Sequence, residues 1–318
     1  MTTDPRLPQP GPWPTDPGRL WMTPETIDVS ARWQLFEGES LGVMQRLPDA
    51  CAAAVITDPP YSSGGFTRGD RMASTTNKYV LTGTQIERPD FAGDNRDQRG
   101  YLKWCVAWLD ECLRITRPGG SLLMFTDWRQ LPTTTDAVQS GGWVWRGIVP
   151  WDKGDGTRPR RGGFRSQAEY VVWATAGGVR DDVDECLPGW LHVREDLDLD
   201  PGWIHAPVNQ ADKHHITGKP TELMRQLSHI CLPGELIFDP FAGSGTTGVG
   251  ALMEGRRFLG VEKMASYAEI GRRRMAEVEA APTLFAETFT ADALDLDFPV
   301  IDLDDDEAPE MAPRPEYP

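Results

Sequence analysis

Apolar residues fall into short blocks along the chain, some continuous and some at helical spacing, with polar glycine-rich stretches between them. Residues 1–30 are rich in proline and glycine and lack any hydrophobic period, which predicts an extended arm; the folded part is expected from about Trp33. Ala52-Ala53-Ala54-Val55-Ile56-Thr57 is a continuous apolar run ending at the turn-forming Asp58-Pro59-Pro60, the pattern of a buried parallel strand. Residues 62–99 are polar, with Gly64, Gly65, Gly69, Gly83 and Gly93, and read as a long lid or binding loop.

Leu102, Val106, Leu109 and Leu113 then recur at helical spacing across 101–115, and Pro118-Gly119-Gly120 predicts a stop before a strand at 121–125. A second such unit follows, a helix at 131–140, a stop at Gly141-Gly142 and a strand at 143–150, and EYVVWAT at 169–175 reads as a further strand. The pattern dissolves across 177–212. It returns as a helix at 221–231, a strand at 235–239, a glycine-rich turn, a helix to Glu254, a strand at 257–261 and a helix from Ala265 to about Val278. Such alternation predicts an α/β fold whose mostly parallel sheet is covered by helices.

With 318 residues, 39% of them hydrophobic, the chain is long enough for one large core or two modest ones. No stretch approaches the roughly 20 apolar residues of a membrane span, and the first residues lack a basic or apolar leader pattern, so a cytoplasmic protein without membrane contact is expected. The five cysteines include no CxxC pair and read as buried thiols rather than a disulfide framework or zinc ribbon. His214 and His215 lack a third ligand and read as hydrogen-bonding surface residues, so no metal is expected. The twelve tryptophans read mostly as core, with Trp151, beside a basic stretch, as a candidate base contact.

A net charge of −16 opposes nucleic-acid binding at first sight. Its distribution changes the picture. From Glu287 onward eleven acids face Arg314 alone, a tail of about −10 that is expected to be disordered, which leaves about −6 for the rest. Lys153, Arg158, Arg160, Arg161 and Arg165 crowd one stretch and form a candidate DNA contact; a solvated loop is the alternative.

Two segments carry chemistry. In Phe238-Asp239-Pro240-Phe241-Ala242-Gly243-Ser244-Gly245-Thr246-Thr247-Gly248 a strand feeds a glycine turn that opens a helix, so backbone N–H groups face a nucleotide-like ligand. Glu262 ends the next strand, placed to accept two ribose hydroxyls. Gly243, Gly245 and Gly248 also fit GxGxxG, which leaves open a nicotinamide-dependent oxidoreductase or a ligand-free helix-packing turn. In Asp58-Pro59-Pro60-Tyr61 a carboxylate and a backbone carbonyl can accept the two hydrogens of a base amine, and Tyr61 offers a ring for stacking an extruded base; a strand-capping turn is the alternative.

On these segments the chain resembles the amino-methylating (N6-adenine/N4-cytosine) DNA methyltransferases, in the permuted order where the catalytic motif precedes the cofactor motif. The resemblance covers about 33–280 and adds Leu35-Phe36-Glu37-Gly38-Glu39-Ser40, Pro118-Gly119-Gly120-Ser121, Asp127-Trp128-Arg129 and His215-Ile216-Thr217-Gly218-Lys219-Pro220. It implies a Rossmann-like seven-stranded sheet, mostly parallel with one antiparallel strand and helices on both faces. It implies S-adenosyl-L-methionine as cofactor and DNA as partner, adenine N6 as the target with cytosine N4 as alternative, and it leaves a homodimer and a cognate restriction enzyme open. Asp58, Pro59, Pro60 and Tyr61 become the catalytic residues, and Glu39, Thr217, Lys219, Asp239, Phe241, Gly243, Gly245, Thr246, Thr247 and Glu262 the cofactor-binding ones. The implied organisation is an arm at 1–30, a methyltransferase domain at 31–282 and an acidic tail at 283–318. Within the domain, a catalytic half at 31–176 and a cofactor half at 213–282 flank a variable segment at 177–212. That segment is short and acidic, which shifts DNA contact to the arginine stretch and the loop at 62–99.

Overall fold

The computed structural model describes residues 26–61, 96–153, 162–164, 167–180, 204–205, 219–280 and 301–302. In chain order the strands are β1 (Thr26–Ile27), β2 (Trp33–Glu37), β3 (Ala52–Thr57), β4 (Thr116–Thr126), β5 (Val144–Asp152), β6 (Ala168–Thr175), β7 (Ile204–His205), β8 (Leu236–Asp239), β9 (Arg257–Glu262) and β10 (Ile301–Asp302). The helices are α1 (Ser40–Met44), α2 (Gln98–Ile115), α3 (Leu131–Ser140), α4 (Thr221–Ser228), α5 (Thr246–Met253) and α6 (Ala265–Ala280).

The main sheet has the order β2-β9-β8-β3-β4-β6-β5-β7. Seven of these strands have four or more residues, as expected, and the two-residue β7 extends the sheet to eight. Every pairing is parallel except those of β6, which runs antiparallel between β4 and β5. Sheet positions alternate between two cores. Phe36, Val55, Leu122 and Met124 join a cluster containing residues of α1, α2 and α3, whereas Leu35, Ile56, Leu123 and Phe125 join one containing residues of α4, α5 and α6. All six residues of β3 are buried, and because a strand covered on both faces meets no water, five of them are apolar and the sixth, Thr57, finds an internal hydrogen-bond partner.

The local signals place most boundaries within a few residues, and the departures have physical causes. Helix α2 begins at Gln98, before the apolar pattern, because the Asp97 side chain caps it by accepting from Gly100 N (2.7 Å). Strand β4 begins at Thr116, so Pro118-Gly119-Gly120 lies within it as an irregularity and not before it. There the register against β3 slips between Ala52/Thr116 and Ala54/Ser121, and a Cβ at Gly120 would stand 2.7 Å from Ala53 O. β1 and β10 pair antiparallel, so ordered backbone extends to residues that the sequence leaves to an arm and a disordered tail.

The positioning feature is the order around β3. From β3 the chain places β4 beside it, then β5 further out with β6 between them, and returns to place β8 on the other side of β3. In open α/β sheets a ligand crevice forms where the strand order reverses in this way, at the carboxyl ends of the strands. Here those ends carry Asp58 and the Asp239 turn.

Candidate active site

Residues 57 and 239 are 182 positions apart in sequence, yet Thr57 Oγ1 donates to Asp239 Oδ1 at 2.8 Å. Asp239 is fully enclosed by further donors, Phe241 N to Oδ1 (3.0 Å) and Thr247 Oγ1 to Oδ2 (2.7 Å). Burial pushes its carboxyl up to about 7 in spite of these bonds. Asp239 and Thr247 thus bracket two strand ends and the start of α5, and Thr246 Oγ1 accepts from Arg274 Nη1 (3.0 Å). The side chains of all three are turned to internal partners.

The turn that follows has left-handed backbone at Gly243 (φ 54°) and Gly245 (φ 76°). A Cβ at Gly245 would lie 2.9 Å from Gly271 Cα, and one at Gly248 2.5 Å from Met275 Sδ, so these two glycines admit α6 against α5. Helix packing therefore accounts for two glycines of the GxGxxG pattern. Gly243 has another role: its N–H donates to Glu262 Oε2 (2.9 Å), while Met264 N donates to Oε1 (2.7 Å). Burial raises the Glu262 carboxyl against these two bonds. Phe241 meets Trp108 edge-on (5.1 Å between centroids) and Trp104 at a tilt (5.3 Å), and the Arg96 guanidinium lies 4.1 Å over Trp104. Glu39, just before α1, pairs in the open with Lys263, the neighbour of Glu262.

At the end of β3 the Tyr61 hydroxyl donates to Asp58 Oδ1, and Lys219 donates to Asp58 Oδ2 and to the Tyr61 hydroxyl (3.1 Å). Lys219 sits just before α4 with its side chain 5% exposed. Its ammonium lies 3.5 Å from Glu169 Oε2, and Lys153 Nζ donates to Glu169 Oε1 at 3.0 Å. The four groups alternate in charge. Burial alone would lower the Lys219 ammonium, but the carboxylates of Asp58 and Glu169 outweigh it and raise it. Burial would likewise raise Glu169, and Lys219 and Lys153 hold it low instead. Burial raises Asp58 against the pull of Lys219, and it raises the Tyr61 hydroxyl, which faces Asp58.

Of the residues singled out from the sequence, the structure gathers Asp58, Tyr61 and Lys219 into one cluster and Phe241, Gly243 and Glu262 into another. Lys219, implied as a cofactor ligand, has its ammonium on Asp58. Thr217 and the arginine stretch of Arg158, Arg160, Arg161 and Arg165 lie outside the described residues, as does most of the loop at 62–99. Glu169, Trp104 and Trp108 were missed. Glu169 had a signal: it shares a face of β6 with Val171 and Trp173, which pack into the second core, so an acid stands on an apolar face. Among the described residues no His, Cys, Asp and Glu cluster could hold a metal, and no helix is long and apolar enough to cross a membrane.

The chain belongs to the DNA methylase family of N6/N4 methyltransferases, whose model matches residues 52–273, and it is accordingly a DNA methyltransferase. It is 24% identical over 260 residues to the Type II methyltransferase M.HinfI of Haemophilus influenzae, an alignment covering 78% of this chain and 69% of that protein. Among solved structures it is similar to a DNA modification methylase of Thermus thermophilus, TTHA0409, complexed with S-adenosyl-L-methionine, with a TM-score of 0.55 at 21% identity over 78% of this chain and 95% of that one. It is also similar in fold to the cytosine-N4-specific PvuII DNA methyltransferase, with a TM-score of 0.57 at 15% identity over 78% and 90% of the two chains.

Proposed function

We propose that this chain transfers the methyl group of S-adenosylmethionine to an exocyclic amino nitrogen of a DNA base, with adenine N6 as the target. The observation that carries the reading is the Thr57 to Asp239 hydrogen bond, which fixes the Asp58 motif beside the glycine turn at the switch point of the sheet. The catalytic half then precedes the cofactor half in the chain, the permuted order.

The residues at the turn fit the cofactor. Each Glu262 oxygen accepts one backbone N–H and keeps a lone pair for a ribose hydroxyl. Phe241, Trp104 and Trp108 offer an apolar wall, with the Trp108 Nε1 donor buried and unpartnered among the described residues. Bound there, S-adenosylmethionine supplies a methyl group activated on a sulfonium. Asp58 accepts a hydrogen bond from the target amine and faces the positive charge that arrives on nitrogen with the methyl group; the surplus amine proton then leaves, with solvent as its final acceptor. The Pro59 carbonyl accepts a hydrogen bond from the second amine hydrogen, Tyr61 stacks the base, and positioning with exclusion of water carries most of the acceleration. A nicotinamide-dependent oxidoreductase on the same turn leaves the Asp58 cluster without a task.

The test is methyl incorporation into DNA from labelled cofactor, followed by nucleoside analysis, beside titration with S-adenosylhomocysteine and NAD. N6-methyladenine and binding of S-adenosylhomocysteine alone are expected. N4-methylcytosine moves the target to cytosine, and an absence of transfer by folded protein sinks the reading.

A further inference from the structure

The Asp58 carboxylate, on the proposed reading of the site, must accept a hydrogen bond from the target amine. In the structure each of its oxygens already accepts one hydrogen bond, Oδ1 from the Tyr61 hydroxyl and Oδ2 from Lys219, so an incoming amine must use a remaining lone pair beside a donor already in place. An amine competing with an ammonium for Oδ2 starts at a disadvantage, because the charge-assisted bond is roughly twice as strong as a neutral one. One of the two occupants has somewhere else to go. Glu169 Oε2 is buried and has no hydrogen-bond partner among the described residues, and it stands 3.5 Å from the Lys219 ammonium, an ion pair without a hydrogen bond. Glu169 itself is held in place by Lys153, which donates to Oε1 at 3.0 Å, and by its position on β6 opposite Trp151 of β5. A shift of the ammonium by under about 1 Å would bring it within ordinary hydrogen-bond distance of Oε2. Its surroundings tolerate such a shift: the rings of Phe125, Tyr61 and Trp151 lie 5.0, 5.5 and 5.9 Å from Nζ and attract a cation without fixing its direction.

We propose that Lys219 is a movable cation that rests on Asp58 and transfers to Glu169 as the target amine takes Asp58 Oδ2, which makes Glu169 a positioning residue for methyl transfer. No proton or covalent bond changes hands in the shift; one hydrogen bond of the ammonium is exchanged for another. The device gives Asp58 a counter-charge while the site is empty, and releases it only when a donor arrives.

The experiment uses the full chain, DNA and labelled S-adenosylmethionine, and compares Glu169→Gln, Lys219→Met and the double variant, with thermal unfolding and S-adenosylhomocysteine titration of each. A neutral amide at 169 is a weaker destination, so Glu169→Gln should slow the single-turnover transfer by about tenfold or more while leaving S-adenosylhomocysteine affinity unchanged. Because Glu169 acts through Lys219, the same substitution in the Lys219→Met background should alter the rate by less than about twofold. An equal loss in both backgrounds, or no loss in the single variant, overturns the inference and leaves the proposed function standing. Wild-type protein that transfers no methyl group to DNA overturns both.

Discussion

The two carboxylates that define this site, Glu262 and Asp58, are held by opposite means. Both oxygens of Glu262 accept main-chain N–H groups, from Gly243 and Met264, and the neighbouring Asp239 is held by a backbone N–H and two threonine hydroxyls. Donors of this kind sit on the backbone or one rotatable bond from it, so little freedom remains to be lost when a ligand arrives. Asp58 is gripped instead by the far ends of two long side chains, Tyr61 and Lys219. On the proposed function, the cofactor side is therefore built in advance, whereas the amine side rearranges to admit its substrate. That difference is consistent with a donor that binds to a fixed cradle and a base that enters by displacing protein contacts.

The largest effect should come from separating the two sides by mutation. Asp58→Ala leaves Lys219 to pair with Glu169, so the protein should fold, and its turnover should drop at least about a hundredfold, the loss of the acceptor that faces the developing charge. Its S-adenosylhomocysteine affinity should change little. Glu262→Ala should show the reverse, a cofactor affinity weakened by about tenfold or more and activity partly restored by saturating cofactor. Titration and steady-state kinetics on both variants check this, and loss of the same parameter in each would break the comparison.

A smaller effect concerns pH and the rigidity of the cofactor side. Since burial lifts Asp239 from 3.8 to about 7, the native state retains a proton between those values that the unfolded chain has released. Stability contributed by this group is therefore lost as pH rises through that window. Asp239→Asn keeps the acceptor for Thr57 and Phe241 and removes the titration, so it should be the more stable protein above pH 7 by something on the order of 4 kcal/mol, and the gap should close near pH 4. Thermal unfolding of both proteins across pH measures it; a gap independent of pH would show that Asp239 is not the group that titrates.

The smallest effect sharpens the reading of the glycine turn. A Cβ at Gly248 would meet Met275 Sδ at 2.5 Å and Phe258 Cδ1 at 2.7 Å; the methionine can yield, the ring less so. Gly248→Ala should then cost about 1 kcal/mol of stability, at the low end for overpacking, without altering the chemistry at Asp58. Chemical denaturation gives the first figure and saturating turnover the second.

What the sequence determined by itself was local. Helix α3 and strands β6 and β9 could be placed to within a residue because period, glycine stops and turn residues act over a few positions. The two motifs were legible for the same reason, since Asp58-Pro59-Pro60-Tyr61 and the turn from Phe241 to Gly248 are each contiguous. Tertiary structure alone decided what the motif residues face. It set Thr57 against Asp239, turned Lys219 to Asp58 and Glu169, and gave Gly245 and Gly248 to the packing of α6. These contacts join strands and helices far apart in the chain, and their energies depend on burial and charge at the meeting point. No local pattern encodes that, because each side chain acquires its partner only when the strand order is fixed.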